Sequence, residues 1–378
     1  MTHLFLIAGE PSGDRLGAAL MAGLRQLAPE IRFSGIGGPA MAVEGLDSLF
    51  PMDVLSVMGL AEVLPRLRDL FRRRDQAVAA IAGGAPDALI TIDSPDFCLR
   101  VAAKARQARP DLPVIHYVAP SVWAWRSSRA ERMARVVDHV LALLPFEPPY
   151  MEAAGMTCDF VGHPVAAAPL TTEAEIAAFR ADHGLDGAFA LVLPGSRRGE
   201  VSRLAPIVGE ALHALPPDIR LVVPTLPHIE EMVREAVAAW PGAPVVVSTE
   251  AAKRGAFGGA TAALAASGTV SLDLAANGVP MVIAYDMNWF SRTILARMLK
   301  VDTVTLVNLV SETRAVPEFL GSDCKPKPVG QALRRLLTIP SERDRQKHAL
   351  STTMERLGRG GEAPGLRAAR SVMAHLAK

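Results

Sequence analysis

Residues 89–98, LITIDSPDFC, decide how the rest of the chain can be interpreted, because a mostly apolar run stops there at two acids, a serine and a proline. Such a run is typical of a parallel strand that is buried on both faces. Ser94 is a residue type that caps helices, and Pro95 suits a first helical position because its missing N–H would be unpaired there. The stretch therefore predicts a strand that leads directly into a helix, with Asp93 and Asp96 at the junction.

The two carboxylates admit two interpretations. In open α/β sheets ligands bind outside the carboxyl ends of the strands, so Asp93 and Asp96 would lie at a ligand site. Alternatively, both acids only complement the dipole and the free amides of the helix N-terminus. The spacing of the two residues leaves both interpretations open.

Strand-like and helix-like segments alternate along most of the chain. Residues 3–8 predict a first strand, and residues 14–28 predict a helix with leucines on one face. The other predicted strands are 31–36, 89–92, 113–118, 136–143, 190–193, 219–223, 245–247, 260–264, 281–284 and 303–306, and a long helix is predicted over 60–82. Such βαβ repetition predicts parallel, doubly wound sheets.

The alternation pauses near residues 161–169, VGHPVAAAP, and then restarts. At about 150 residues per domain, a chain of 378 residues suits two domains. We therefore expect two Rossmann-like α/β domains that face each other across a cleft, residues 1–168 and residues 169–325. The strand-free, basic segment 326–378 predicts a helical tail, which could pack on the N-terminal domain or be exchanged in a dimer.

The composition excludes several classes of protein. The net charge of +1, from 40 basic and 39 acidic residues, gives no field that would favour nucleic acid. The three cysteines, Cys98, Cys158 and Cys324, form neither a zinc pattern nor a disulfide framework, which indicates a reducing cytoplasm. The N-terminus predicts a strand rather than a signal peptide, and no stretch approaches the ~20 apolar residues that span a bilayer. We expect a protein that is soluble or lies on a membrane surface.

The segment GEPSGDRLGA, residues 9–18, predicts a second strand-to-helix junction. It has neither G-x-G-x-x-G spacing nor a G-K-[ST] ending, so it indicates neither a dinucleotide site nor a P-loop. Glu10, Ser12 and Asp14 could contact a polar substrate. A simple turn in which Ser12 caps the helix explains the same residues.

Two segments of the second half combine a strand end with small residues that open a helix, namely residues 193–200, LPGSRRGE, and residues 263–280, ALAASGTVSLDLAANGVP. Free amides at such helix starts bind anions, and a guanidinium adds charge. The residues concerned are Gly195, Ser196, Arg197, Ser267, Gly268 and Thr269, with Asp273 one turn further on. Two such sites in one domain favour a diphosphate ligand such as a nucleotide sugar, although serine and threonine are also ordinary caps.

Residues 54–76 combine apolar and basic side chains at helical spacing. The apolar residues of this segment are Val63, Leu64, Leu67, Leu70 and Phe71, and its arginines include Arg68 and Arg72. Such a helix can lie on anionic lipid. A core-facing helix with a solvated basic face fits the same pattern.

Other polar and aromatic residues give weaker signals. Trp123 and Trp125 could pack against a sugar or an acyl chain, or belong to the core. His116 and His163 could act as general bases, or be structural. No metal-binding motif and no G-x-S-x-G elbow occurs in the sequence, so it indicates neither a metal, nor any other cofactor, nor an α/β-hydrolase.

Taken together, nine segments resemble the lipid-A-disaccharide synthase family in order and spacing. They are AGEPSGD, GIGGPAM, VMGLAEVL, IDSPDFC, YVAPSVWAWR, LPFEPPY, VGHP, LPGSRRGE and ASGTVSLDLA. The resemblance implies a GT-B fold and an inverting glycosyl transfer without a metal, from UDP-2,3-diacylglucosamine to 2,3-diacylglucosamine 1-phosphate (lipid X). It also implies work at the cytoplasmic face of the inner membrane of Gram-negative bacteria, against anionic lipid, and a homodimer with exchanged C-terminal segments.

The resemblance also implies roles for single residues. Asp96 matches the family's catalytic base, and Arg197 with the two helix starts matches the groups that stabilise departing UDP. Asp273 stands where the family usually has a ribose-binding Glu, and Asn308 matches an asparagine near the cleft. The acceptor side matches Glu10, Ser12, Asp14 and Asp93.

The sequence departs from the family pattern at Cys98, which replaces an asparagine, and at Gly321, which replaces a glutamine. Two other functions share part of these features: a UDP-sugar 2-epimerase of the same fold, and a lipid-binding protein without activity. A soluble substrate would not require the basic amphipathic segment, and a binding protein would not require Asp96 and Arg197.

Overall fold

The computed structural model describes residues 1–55, 60–123, 128–286 and 302–377, with side chains throughout except at residues 60–66. The chain forms two compact units. The first consists of residues 1–167 and 360–378, and the second of residues 168–359.

The first unit contains a six-stranded parallel sheet. Its strands are β1 (His3–Ala8), β2 (Arg32–Ile36), β3 (Ala88–Ile92), β4 (Val114–Tyr117), β5 (His139–Ala142) and β6 (Thr157–Phe160). Their order in the sheet is β2-β1-β3-β4-β5-β6. The chain therefore winds to one side of β1 and then continues on the other side, so the order reverses between β1 and β3.

The second unit contains another six-stranded parallel sheet. Its strands are β7 (Phe189–Leu193), β8 (Arg220–Pro224), β9 (Val245–Val247), β10 (Ala262–Ala266), β11 (Met281–Tyr285) and β12 (Glu318–Leu320). Their order is β12-β11-β10-β7-β8-β9, which reverses between β7 and β10.

Helices cover both faces of the sheets. In the first unit they are α1 (Pro11–Leu27), α2 (Pro39–Val43), α3 (Leu60–Gly84), α4 (Pro95–Ala108), α5 (Ser128–Met133), α6 (Pro148–Glu152) and α7 (Pro164–Ala167). In the second they are α8 (Glu173–His183), α9 (Arg198–Leu212), α10 (Glu230–Val237), α11 (Glu250–Gly259), α12 (Val270–Ala276), α13 (Leu306–Ser311), α14 (Pro326–Thr338) and α15 (Pro340–Arg356). The last helix, α16 (Pro364–Leu376), returns to the first unit.

Alternation along each strand explains the double winding. On β1, Leu4 and Leu6 belong to a core cluster with residues of α1 and α16. Phe5 and Ile7 point to the opposite face and belong to a cluster with residues of α3 and α4. Since both faces are covered, every residue of β1 is buried and the strand reads as a continuous apolar run.

Several elements differ from the prediction. The strand predicted over 260–264 lies at Ala262–Ala266, and the sequence did not indicate β6. Helix α1 begins at Pro11 rather than at residue 14, with Glu10 and not Ser12 at the N-cap position, because proline needs no hydrogen-bond acceptor at the first helical position. The strand predicted over 303–306 is wrong. The N–H groups of Val304 and Thr305 donate instead to Glu318 Oε2 (3.2 and 3.1 Å), and the strand itself lies at Glu318–Leu320.

The tail is helical, as expected, but its helices are divided between the two units. Helices α14 and α15 belong to the second unit, whereas α16 packs on α1 in the first unit. Across the described ranges, no helix combines the length and the apolarity that crossing a bilayer requires.

Candidate active site

The predicted acceptor-side residues lie where the strand order of the first sheet reverses. Residues 9–14 follow β1, residues 93–96 follow the neighbouring strand β3, and both groups lie at the carboxyl edge of the sheet. Ligands of open α/β sheets bind at such a reversal. The two segments touch: a Cβ added to Gly9 would lie 2.6 Å from Ser94 Oγ, so a larger residue there would have to displace the Ser94 side chain.

The backbone at this edge is strained. Asp93 and Ser94 have φ of +52° and +42°, and Val118, at the end of β4, has φ of +84°. Left-handed conformations cost about 1–3 kcal/mol for such residues and cluster at functional sites. The capping bond predicted for Ser94 is absent, because Ser94 is left-handed rather than in the extended conformation of an ordinary N-cap residue, although α4 begins at Pro95 as predicted. Within the described ranges the buried Ser94 Oγ has no hydrogen-bond partner.

Asp96 projects from the first turn of α4 with 94 % of its side chain exposed. Its Oδ1 lies 3.9 Å from Nη2 of Arg129 on α5, a residue that the sequence analysis did not single out. Asp93, in contrast, is half-buried at the tip of β3. Asp96 is therefore the acid of this pair that is free to meet a substrate.

Asp14, for which an acceptor-side role is predicted, has a buried carboxylate that already accepts hydrogen bonds within the chain, and the role stays a prediction. It accepts hydrogen bonds from the N–H groups of Gly38 (2.8 Å), Ala40 (2.9 Å) and Met41 (3.0 Å) at the start of α2. Through these hydrogen bonds Asp14 connects residues 35–41, GIGGPAM, to α1. Ser12 is exposed beside it and Glu10 is half-buried.

The two histidines that could act as bases or be structural, His116 and His163, are both largely buried. Burial lowers the pKa of His116 to about 4, and its Nδ1 lies 2.7 Å from Thr91 Oγ1 inside the sheet, so it is structural. Burial also lowers the pKa of His163 to about 4, and its Nδ1 accepts from the N–H of Val165 (3.2 Å). Neither imidazole carries a charge near pH 7.

Three further residues of the first unit, two from the sequence motifs and one acid, are buried inside it. Trp123 is buried and meets Phe146 edge to face at 5.3 Å, whereas Trp125 lies outside the described residues. Cys98 is fully buried, and burial raises the pKa of its thiol, so it is a packing residue. Glu147 is a buried carboxyl that accepts from the N–H of Leu144 (2.9 Å), and burial raises its pKa to about 8.

The second sheet also places its predicted residues at its reversal point, at the ends of β7 and β10. Gly195 has φ of +127°, and the N–H groups of Ser196 and Arg197 donate to Glu200 Oε2 (3.0 and 3.3 Å). Arg197 is 69 % exposed, and its Nη1 lies 3.8 Å from Glu200 Oε1. The amides and the guanidinium predicted to bind an anion therefore hold a carboxylate of the chain itself.

Residues after β10 are open to solvent. Gly268, Thr269 and Asp273 are exposed and Ser267 is half-buried, although Thr269 does not cap α12 with its side chain. Gly321 has φ of +57°, a conformation that glycine adopts freely and glutamine does not.

Asn308, for which a donor contact is predicted, is fully buried and its amide makes internal hydrogen bonds, so the donor contact stays a prediction. Its Nδ2 donates to Val316 O (2.9 Å), and its Oδ1 accepts from Val316 N–H (3.0 Å). Asn308 holds the chain that leads to β12.

Helix α3 bears out part of the basic amphipathic pattern. Phe71, Arg68 and Arg72 are exposed, and Arg74 lies over the Phe71 ring at 5.0 Å. Leu70 is partly buried and packs against the core, and the membrane contact predicted for it stays a prediction. Leu67 is half-buried, and the side chains of Val63 and Leu64 lie outside the described residues.

Comparisons with known proteins agree with these motifs. A family model described as lipid-A-disaccharide synthetase matches residues 4–365. A lipid-A-disaccharide synthase of Ruegeria pomeroyi is 58% identical, covering 100% of this chain and 96% of that protein. One of Rhodospirillum centenum is 48% identical, covering 98% of this chain and 94% of that protein.

Solved structures share the fold at low identity. A putative UDP-N-acetylglucosamine 2-epimerase from Listeria monocytogenes has a TM-score of 0.64 at 14% identity, covering 99% of this chain and 95% of its own. Acinetobacter baumannii MurG has a TM-score of 0.54 at 15% identity, covering 100% and 99%. The two Rossmann-like sheets are thus those of GT-B glycosyltransferases and epimerases, and at this identity the likeness concerns the fold alone.

Proposed function

The chain belongs to the lipid-A-disaccharide synthase family, and from this premise we propose how its residues carry out the family's reaction. The enzyme is a glycosyltransferase of lipid A biosynthesis. It joins UDP-2,3-diacylglucosamine to 2,3-diacylglucosamine 1-phosphate, which gives the β(1→6)-linked disaccharide 1-phosphate and UDP.

Asp96 is the general base. Its carboxylate takes the proton of the acceptor 6-hydroxyl while that oxygen attacks the anomeric carbon of the donor, and UDP departs from the opposite face with the bonding pair. The observation that carries this role is the exposed carboxylate of Asp96 in the first turn of α4, beside the strained tip of β3 at the reversal point of the first sheet. Asp93 supports the turn, and Ser12 and Glu10 line the same edge on the acceptor side.

The second unit holds UDP. Arg197 and the amides of Ser196 and Arg197 stabilise the charge that develops on the diphosphate, which takes the place of the Glu200 carboxylate. Ser267, Gly268 and Thr269 add contacts at the neighbouring strand end, and Asp273 takes the ribose.

Replacement of Asp96 by Asn tests the base. Purified Asp96→Asn given both acylated sugars should lose at least ~100-fold in the rate of UDP release, since a positioned base contributes about that much. Asp111→Asn is the matched control, because Asp111 is exposed in the loop before β4, at the opposite edge of the sheet. An Asp96→Asn variant with wild-type rates refutes the assignment.

A wild-type rate that is unchanged in EDTA would support transfer without a metal, and one that EDTA abolishes would refute it.

We also infer that α3 rests on the anionic cytoplasmic surface of the inner membrane through Phe71, Arg68 and Arg72, where the acylated substrates reside. Sedimentation with vesicles containing phosphatidylglycerol should fall in Phe71→Ser/Arg72→Gln. Leu170→Ser/Arg203→Gln makes the same change at exposed residues of the second unit and should bind like the wild type. Equal loss in both variants would refute the assignment to α3.

A further inference from the structure

Arg129 is a cation beside the base that the reaction described above does not use. It lies on α5, which follows β4, the strand next to β3. Its guanidinium is 33 % exposed and lies 3.9 Å from Asp96 Oδ1, beyond hydrogen-bond distance. In the described part of the chain it makes no hydrogen bond, whereas Nε of Arg132 on the same helix donates to Ser128 O (3.4 Å).

This cation lies close to the base but is not committed to it. At 3.9 Å the guanidinium makes no hydrogen bond to the Asp96 carboxylate, so its donors stay available. The pair gives little stability, because ion pairs between exposed groups are worth ~0–1 kcal/mol. A guanidinium with unused donors at this place can therefore bind an anion that the substrate supplies.

The acceptor carries such an anion. Its phosphate is attached to C1 of the same sugar ring whose 6-hydroxyl must reach Asp96. A group that contacts the Asp96 carboxylate is thus within one sugar ring of the phosphate. Guanidinium and phosphate form strong, bidentate, charge-assisted hydrogen bonds.

We propose that Arg129 binds the 1-phosphate of the acceptor, an inference that rests on the proposed function. The phosphate carries more charge than one carboxylate, so it draws the guanidinium away from Asp96. When a phosphorylated acceptor binds, the Arg129 guanidinium therefore no longer lies beside the Asp96 carboxylate. Arg129 thereby determines the selectivity for a phosphorylated sugar.

Two acceptors separate this role from a merely structural one. One is 2,3-diacylglucosamine 1-phosphate, and the other is the same diacylated sugar with a methyl group in place of the phosphate. In the wild type, kcat/KM should be much higher for the phosphorylated acceptor. In Arg129→Gln it should fall roughly 100-fold for that acceptor, mostly through KM, as expected for the loss of charge-assisted hydrogen bonds. For the methyl glycoside it should be unchanged or higher.

Two further variants complete the experiment. Arg129→Lys should retain part of the preference, because it keeps the charge but not the bidentate geometry. Arg132→Gln, on the same helix, should retain all of it. If Arg129→Gln slows both acceptors equally, the inference is wrong. If the wild type releases no UDP with either acceptor, the proposed function itself fails.

Discussion

At the scale of single residues, Glu147 makes the pH dependence of stability predictable. Burial raises its pKa from 4.5 to about 8, so between these values the folded protein retains a proton that the unfolded chain releases. The free energy of unfolding must therefore fall as the pH rises through this window. At about 1.4 kcal/mol for each pKa unit, the loss between pH 5 and pH 8 is on the order of 4 kcal/mol.

Glu147→Gln removes this loss, because an amide can still accept from the N–H of Leu144 but does not ionise. Urea unfolding at pH 5 and pH 8 should show a smaller decline than in the wild type. Glu152→Gln changes an exposed glutamate on α6 and should decline like the wild type. Parallel pH curves for the wild type and Glu147→Gln would contradict the prediction.

Single residues also show where sequence patterns stop being informative. Asp14 and Asp96 both follow a strand end and both belong to motifs of the family. The structure uses Asp14 to hold three backbone N–H groups of another segment, 24 to 27 residues away, and leaves Asp96 exposed. A residue type predicts a possible hydrogen bond, but only the fold determines which distant amides come within reach of it. Arg129 was missed for the same reason.

At the scale of elements, the tip of β3 depends on close packing between Gly9 and Ser94. A methyl group on Gly9 would lie 2.6 Å from Ser94 Oγ, so Gly9→Ala should displace the strained tip and lower kcat about tenfold or more. Ser94→Gly removes the hydroxyl and also suits a φ of +42°. The double variant Gly9→Ala/Ser94→Gly should therefore recover most of the activity.

The rate of UDP release measures this double-mutant cycle. Gly83→Ala is the control, because nothing lies within 4 Å of the position of its added methyl group. Additive losses in the double variant, without recovery, would show that the contact between Gly9 and Ser94 does not determine the tip.

Elements were predictable where their pattern is local. Helix α4 begins at Pro95 as the residue types require, and β1 occupies the predicted residues 3–8. The segment 303–306 has the same β-branched composition as a strand, but the N–H groups of Val304 and Thr305 donate to the side chain of Glu318. Glu318 belongs to β12, a strand of three residues. A short stretch of sequence does not show that a side chain from another part of the chain will bind these N–H groups.

At the scale of the whole molecule, the chain crosses between its units twice, near residue 167 and again near residue 360. The strand-free, basic composition of residues 326–378 predicts helices, but not the surface that each helix covers. The structure assigns α16 to α1 of its own chain, where Ala368, Ala369 and Val372 join the core of the first unit. Exchange of this segment between two chains stays a prediction.

The seam between α1 and α16 therefore couples the end of the chain to the stability of the acceptor-side unit. A methyl group on Gly365 would lie 2.4 Å from Ala19 O, which is backbone and cannot rotate away. Gly365→Ala should destabilise the first unit by about 1–3 kcal/mol, the usual cost of overpacking, because α16 must shift. Hydrogen exchange should then be faster in α1, whereas α9 in the second unit serves as the internal reference and should exchange as in the wild type. Unchanged protection of α1 would mean that α16 does not stabilise the unit that carries Asp96.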